Sequence, residues 1–222
     1  MLLILRVDQN KFQIINLEML NMGKRWEVEK KKEHYYKMAK KEKYRSRASY
    51  KLLQLNKKFK IIKPRDYVVD LGAAPGGWSQ VALDIIGNDG KVVAVDLQRI
   101  KPFDQTNFIQ ITGDFTEKET IDKIQNELGW NADVVLSDAS PKLTGIRDID
   151  HLKSVELVEN ALNVADHVLK IDGNMIIKVF QGEEFQNLLK KFKKKFKTVK
   201  TAKPPSSKKG SMEMYLIAQK KY

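Results

Sequence analysis

Eleven residues, Asp70-Leu71-Gly72-Ala73-Ala74-Pro75-Gly76-Gly77-Trp78-Ser79-Gln80, hold three glycines and are the strongest candidate for ligand chemistry in the chain. Glycine lets backbone N–H groups approach a ligand closely. The spacing G-x-x-x-G-G is not a Walker phosphate loop, because no Gly-Lys-Ser/Thr follows, and it is not the dinucleotide pattern G-x-G-x-x-G. Four acids accompany the turn, each at or near the end of an apolar run: Asp70, Asp96, Asp114 and Asp138. Asp96 lies about 20 residues beyond the glycines, where nucleotide folds place the carboxylate that receives ribose hydroxyls. One strand-end aspartate is an ordinary turn former or helix cap. Four beside a triple-glycine turn point instead to a ligand with a ribose and a positive centre. Lys178 is the other suspect, since it interrupts the apolar run Met175-Ile176-Ile177-Lys178-Val179-Phe180. A lysine there is costly unless it is paired or functional.

The elements that position these residues alternate between strand and helix. Tyr67-Val68-Val69, Lys91 to Asp96, Phe108 to Ile111 and Ala132 to Ser137 read as strands buried on both faces. Trp78 to Leu83, Glu117 to Leu128 and His151 to Leu169 carry apolar residues at helical spacing, and Gly129 closes the second of these. Such alternation predicts an α/β fold whose ligand crevice lies beyond the carboxyl ends of parallel strands. Upstream, Ala48, Leu52 and Leu55 share one helical face with Lys51 beside it. Downstream come a basic helix from Phe185 to Phe196, a short strand at Thr198 to Thr201 and a last strand from Met212 to Ala218 that contains Glu213. Pro204 to Gly210 reads as a basic, flexible loop.

With 222 residues the chain can bury one substantial core. It has no cysteine, and its three histidines, His34, His151 and His167, stand far apart, so no metal centre is expected. No apolar run is long enough to span a membrane. The net charge of +13 calls for an anionic partner. It is segregated: residues 24–65 hold 17 Lys/Arg against 4 Asp/Glu, and residues 190–209 hold 10 Lys and no acid. The remainder carries the balance of −10, so an acidic core lies between two basic stretches. Trp26, Tyr35, Tyr36, Tyr44 and Tyr50 are interleaved with the first stretch, which favours nucleic acid, where aromatics stack on bases.

The set Ser46-Arg47-Ala48-Ser49-Tyr50-Lys51-Leu52, Asp70 through Gln80, Gly113-Asp114-Phe115, Ser137-Asp138, Lys178-Val179-Phe180-Gln181-Gly182 and Ser211-Met212-Glu213-Met214-Tyr215 resembles the FtsJ/RrmJ family of RNA ribose 2′-O-methyltransferases. The likeness covers about residues 24–222. It implies a Rossmann-like class I methyltransferase fold: a mostly parallel seven-stranded sheet with an antiparallel last strand and helices on both faces. It also implies S-adenosylmethionine as cofactor, with Gly76, Trp78, Asp96, Asp114 and Asp138 on cofactor-binding positions. The family's Lys-Asp-Lys-Glu tetrad is matched by Lys51, Asp138, Lys178 and Glu213. The implied reaction is methyl transfer to the 2′-OH of a uridine ribose in large-subunit ribosomal RNA, in the cytoplasm, by a monomer that holds RNA through residues 24–65 and 190–209. A transfer RNA substrate, or a catalytically silent RNA-binding assembly factor, are the other readings.

A ribose hydroxyl is a weak nucleophile and needs a base and tight alignment. A lysine serves as base where burial and a second cation favour its neutral form, so Lys178 is the candidate base and Lys51 the neighbouring cation. Asp138 and Glu213 would orient the two ammonium groups. The loop Asp138-Ala139-Ser140-Pro141-Lys142 departs from the Asp-Met-Ala-Pro-Asn of bacterial ribosomal members, which bears on the substrate and leaves the tetrad untouched.

Residues 1–21 are apolar-rich and differ in character from the rest of the chain, and Met22-Gly23-Lys24-Arg25 resembles a chain start. The expected working unit is a single domain, residues 22–222. A chain beginning at Met22 should match the full chain in thermal midpoint and turnover; a clear fall in either, by calorimetry or methyl-transfer assay, would show that the first 21 residues pack on the core.

Overall fold

The computed structural model describes residues 33, 35, 37–208 and 210–222. The N-terminal extension and the start at Met22 lie outside the described residues. Seven strands, β1 (Tyr67–Leu71), β2 (Lys91–Asp96), β3 (Phe108–Thr112), β4 (Ala132–Ser137), β5 (Leu169–Phe180), β6 (Phe196–Ala202) and β7 (Glu213–Lys221), form one sheet in the order β3-β2-β1-β4-β5-β7-β6. Neighbours among β1 to β5 pair in parallel, and β7 runs antiparallel between β5 and β6. This is the expected Rossmann-like architecture. The Val/Ile runs of the central strands are buried on both sides, as parallel strands covered by helices must be.

Two cores result, one on each face. On one side α1 (Ser49–Phe59) and α2 (Gly77–Ile86) bury Leu52, Leu55, Trp78 and Val81 against Val68, Val92 and Leu136. On the other, α3 (Lys118–Leu128), α4 (Arg147–Val168) and α5 (Phe185–Lys195) bury Ile124, Ala161, Leu188 and Phe192 against Val69, Val93 and Val135. The strand order reverses between β1 and β4, because the chain lays down β2 and β3 on one side and then returns. A crevice opens at such a point beyond the strand ends.

Two expectations need correction. α4 starts at Arg147, four residues before the apolar pattern begins. Its first turn buries little, and it is held by the acids Asp148 and Asp150 at the helix's positive end instead. The loop after β6 is not flexible throughout. Ser206 and Ser207 are buried; Ser206 donates its N–H and hydroxyl to Gln54 Oε1, and the Ser207 N–H bonds Pro204 O. Two adjacent serines gave no sign of these distant partners.

α1 must be seated firmly, because it carries Lys51. Leu52, fully buried beside it, is the anchor. Leu52→Ala should lower unfolding free energy by about 3 kcal/mol through lost transfer energy and an unfilled cavity. Urea unfolding tests this, and a loss below about 1 kcal/mol would mean α1 is only loosely attached.

Candidate active site

Four side chains from four elements meet at the carboxyl ends of β4 and β5. Lys51 comes from α1, Asp138 follows β4, Lys178 lies in β5 and Glu213 opens β7. Cross-strand register puts Phe180 opposite Glu213 and Lys178 opposite Tyr215. Side chains alternate along a strand, so Lys178 shares the α1 face with Ile176, while Ile177 and Val179 fill the opposite core. Lys178 thus takes the last α1-facing position but one, with Phe180 ending the strand on the same face.

The charges form a chain. The Lys51 ammonium lies 2.7 Å from Glu213 Oε2 and 4.0 Å from Asp138 Oδ1. Lys178 Nζ lies 3.3 Å from the same Oδ1 and donates to the Asp138 backbone carbonyl at 2.6 Å. Both lysine side chains are 8% exposed. The Tyr215 hydroxyl donates to Asp138 Oδ1 at 2.7 Å, and the Ser207 hydroxyl to Glu213 Oε1 at 2.7 Å. Burial, with Asp138 and Glu213 nearby, holds the Tyr215 phenol well above its ordinary pKa, so it remains a donor. All four predicted tetrad residues are therefore in one network.

Beside it lies a crevice of about 420 Å³, walled by Gly72, Ala74, Asp96, Asp114 and Asp138. Leu97, 71% exposed, projects at its rim, and Phe115 backs it. Asp96 accepts the backbone N–H groups of Ala74 and Gln98, and Asp114 that of Thr116, which aims both carboxylates. Asp138 belongs to both places: it anchors the tetrad and walls the crevice. Gly76 and Trp78 are not among the walls. Gly76, at φ +101°, turns the chain into α2. Trp78 is buried, gives its indole N–H to Ala48 O and packs over Tyr215 at 5.8 Å between ring centres.

Asp70 sits behind the turn with no exposure. Its Oδ2 receives the Ser79 hydroxyl at 2.6 Å, while Oδ1 has no hydrogen-bond partner among the described residues. Burial foremost, and then the charges of Asp138 and Asp96, push its carboxyl up to about 7. Three neighbouring carboxyls with one unsatisfied oxygen make a site that a cationic ligand would relieve.

Several contributors escaped the sequence reading. Tyr215 and Ser207 orient the two tetrad carboxylates. His151 and Ser154, on α4, hold the strand end two residues beyond Lys178. Ser154 Oγ accepts the Phe180 N–H at 2.9 Å. The Glu184 N–H donates to His151 Nε2 at 3.0 Å, so Nδ1 carries the proton that bonds Phe180 O at 2.8 Å. Gly182 leaves room for that ring, because a Cβ there would lie 2.4 Å from it. Only Tyr215 had any signal, as part of the motif around Glu213.

Residues 44–221 match the family profile described as FtsJ-like methyltransferase. A curated relative from Methanothermobacter thermautotrophicus, ribosomal RNA large subunit methyltransferase E, is 63% identical over 198 residues, which is 89% of this chain and 94% of that protein. A Plasmodium falciparum protein, solved as a ribosomal RNA methyltransferase, superposes with a TM-score of 0.71 at 29% identity, covering 80% of this chain and 98% of that one. Aeropyrum pernix fibrillarin, solved with natively bound S-adenosyl-L-methionine, shares the fold at a TM-score of 0.53 and 18% identity, over 79% of this chain and 75% of its own.

Asp70 has a consequence for stability. The folded carboxyl holds its proton to about pH 7, whereas in the unfolded chain it ionises near 3.8. Folding therefore takes up a proton between those values, and the parent loses stability as pH rises through the window. Asp70→Asn cannot ionise, so the difference should shift in the variant's favour on the order of a few kcal/mol between about pH 4 and about pH 7, then level off. Denaturant unfolding across that range measures it. A difference constant with pH would mean the carboxyl stays ionised throughout.

Proposed function

The chain belongs to the FtsJ-like methyltransferase family, and on that premise we propose that it transfers a methyl group from S-adenosylmethionine to the 2′-OH of a uridine ribose in large-subunit ribosomal RNA. The observation that supports this most is the tetrad itself: two lysines, each 8% exposed, share Asp138 at the mouth of an acid-walled crevice. An enzyme that had lost its activity would have no need to keep two ammonium groups out of water.

The residues present suit the cofactor. The carboxylates of Asp96, Asp114 and Asp138, which wall the crevice, favour a ligand with a cationic centre and several hydroxyl or amine donors. Asp96 would accept from the ribose hydroxyls and Asp114 from the adenine amine, while Gly76 and Trp78 shape the turn and its seat on α1. S-adenosylmethionine supplies, when bound, a methyl group on a sulfonium sulfur. In the proposed reaction Lys178, acting as its neutral amine, takes the proton of the ribose 2′-OH at Nζ. Lys51 steadies the charge that develops on that oxygen. Asp138 and Glu213 fix the two lysine side chains, and Tyr215 and Ser207 fix the carboxylates in turn. His151 and Ser154 prevent the end of β5 from shifting, and misplacing a reacting group by an ångström costs about 10²-fold.

RNA would approach over the basic stretches 24–65 and 190–209, in the cytoplasm, with residues 22–222 as the working unit. Within the second stretch Lys191, Lys195 and Lys197 already pair with Glu159, Asp166 and Asp172. Cations of that stretch that keep no acid partner, such as Lys208, are the better placed to hold phosphate.

Lys178→Ala should lower kcat by roughly 10²-fold or more, the usual loss on removing a general base, with cofactor affinity nearly unchanged. Asp96→Ala should do the reverse and weaken cofactor binding first. Calorimetric titration and mass spectrometry of ribose methylation separate the two. Activity of Lys178→Ala within a few-fold of the parent would sink the assignment of the base.

A further inference from the structure

A second cavity, of about 340 Å³, is walled by Glu213 and adjoins the acid crevice at Ser140, which lines both. Arg47, Arg147 and Lys208 reach it from three regions of the chain: the segment before α1, the first residue of α4 and the loop before β7. None of the three has an ion pair with a described residue. The two acids in the same wall are already committed. Asp150 accepts the Thr144 N–H at 2.7 Å, the Thr144 hydroxyl at 2.8 Å and the Gly145 N–H at 3.1 Å. Glu213 is taken by Lys51 and Ser207. Glu213 is neutralised by Lys51, whereas the Asp150 charge stands, so the wall holds three cations without ion pairs against one carboxylate, a net charge of +2.

Leu143, Phe180 and Met212 add apolar wall beside Ser140, Gly210 and Ser211, and Leu143 is 61% exposed on its loop. Asp150 ties down that loop, so Leu143 and Arg147 are held on either side of one fixed turn. Cations alone would suit any polyanion, and apolar walls alone would suit any greasy ligand. The two together match a nucleotide, whose base needs a flat apolar seat and whose flanking phosphates need charge.

Resting on the methyltransferase reading above, we infer that this cavity seats the nucleotide whose ribose is methylated. Its base lies against Leu143, Phe180 and Met212, and its flanking phosphates on Arg47, Arg147 and Lys208. The wall shared through Glu213 puts the ribose next to the tetrad, and Ser140 joins this cavity to the cofactor crevice. A base seated this way must leave its stack, so the chain selects an unpaired or extruded nucleotide. Arg147 and Lys208 are then positioning residues: they act on where the ribose sits and not on the methyl group.

The test uses the full chain and deproteinised large-subunit ribosomal RNA as the probe. Arg147→Ala and Lys208→Ala should each raise KM for this RNA by about tenfold, the usual cost of a lost charged hydrogen bond. Each should also flatten the log–log fall of affinity with salt by about 0.7. Arg147→Lys should recover part of the loss. Leu143→Ala should raise KM by roughly three- to tenfold with the salt slope unchanged, since it removes contact with a base and no charge. Cofactor affinity and thermal midpoint should match the parent in all four. If KM and salt slope stay at parental values in Arg147→Ala and Lys208→Ala while the parent methylates the RNA, this site is overturned and the function stands. A parent that transfers no methyl group to ribose overturns both.

Discussion

One carboxylate oxygen, Oδ1 of Asp138, determines much of the rest. It takes the Tyr215 hydroxyl and stands within 4.0 Å of both Lys51 and Lys178. Removing two ammonium groups from water costs several kcal/mol per ion, offset only by opposite charge and well-formed hydrogen bonds. The order Glu213, Lys51, Asp138, Lys178 is the shortest arrangement in which each ion of the four has a partner of opposite sign. It also requires α1, β4, β5 and β7 to be in place at once. The tetrad is thus a condition on the tertiary structure, and any one member lost would leave a buried charge without compensation.

The sheet explains why Asp138 can serve two sites. Because the order reverses between β1 and β4, the ends of those strands part and expose the residue after β4 from both sides. Its Oδ1 and its backbone carbonyl face the lysines, and the residue also walls the crevice with Asp96 and Asp114. Gly72 allows the close approach at that junction. It stands at φ +69°, and a Cβ there would fall 2.6 Å from the Cβ of Ala139, which follows Asp138. Gly72 therefore serves the seating of the loop after β4 as well as leaving room in the crevice that it lines.

What the sequence revealed was local. A lysine inside an apolar strand, acids at strand ends and glycines between strand and helix are each visible in a short window, which singled out Lys178 and Asp138, whereas Lys51 and Glu213 joined the tetrad only through the family resemblance. What it concealed was long-range. Ser207 meets Glu213 across a loop that reads as flexible, and His151 meets Phe180 and Glu184 from a helix whose start the apolar pattern missed. Hydrogen bonds of this kind depend on where two elements cross, and no periodicity records the crossing. Trp78 adds a long-range role that its motif does not reveal: its indole bonds Ala48 O and packs over Tyr215, between α1 and β7.

Net charge was the most prominent feature of the chain and the least specific. Lysines of α5 and β6 answer acids of α4 and β5: Lys191 with Glu159, Lys195 with Asp166, Lys197 with Asp172. Lys221 is spent on the last carbonyls of α4, donating to Ala165, Asp166 and Leu169. Exposed pairs of this kind are worth little to stability, but they remove those cations from the charge that an approaching polyanion meets. The acidic remainder of the sequence is thus not one acidic face. Part of it lies under the basic helix, and part surrounds the crevice. What is left without an ion pair near Glu213 is a small set of cations beside the tetrad, so attraction for a polyanion is concentrated there.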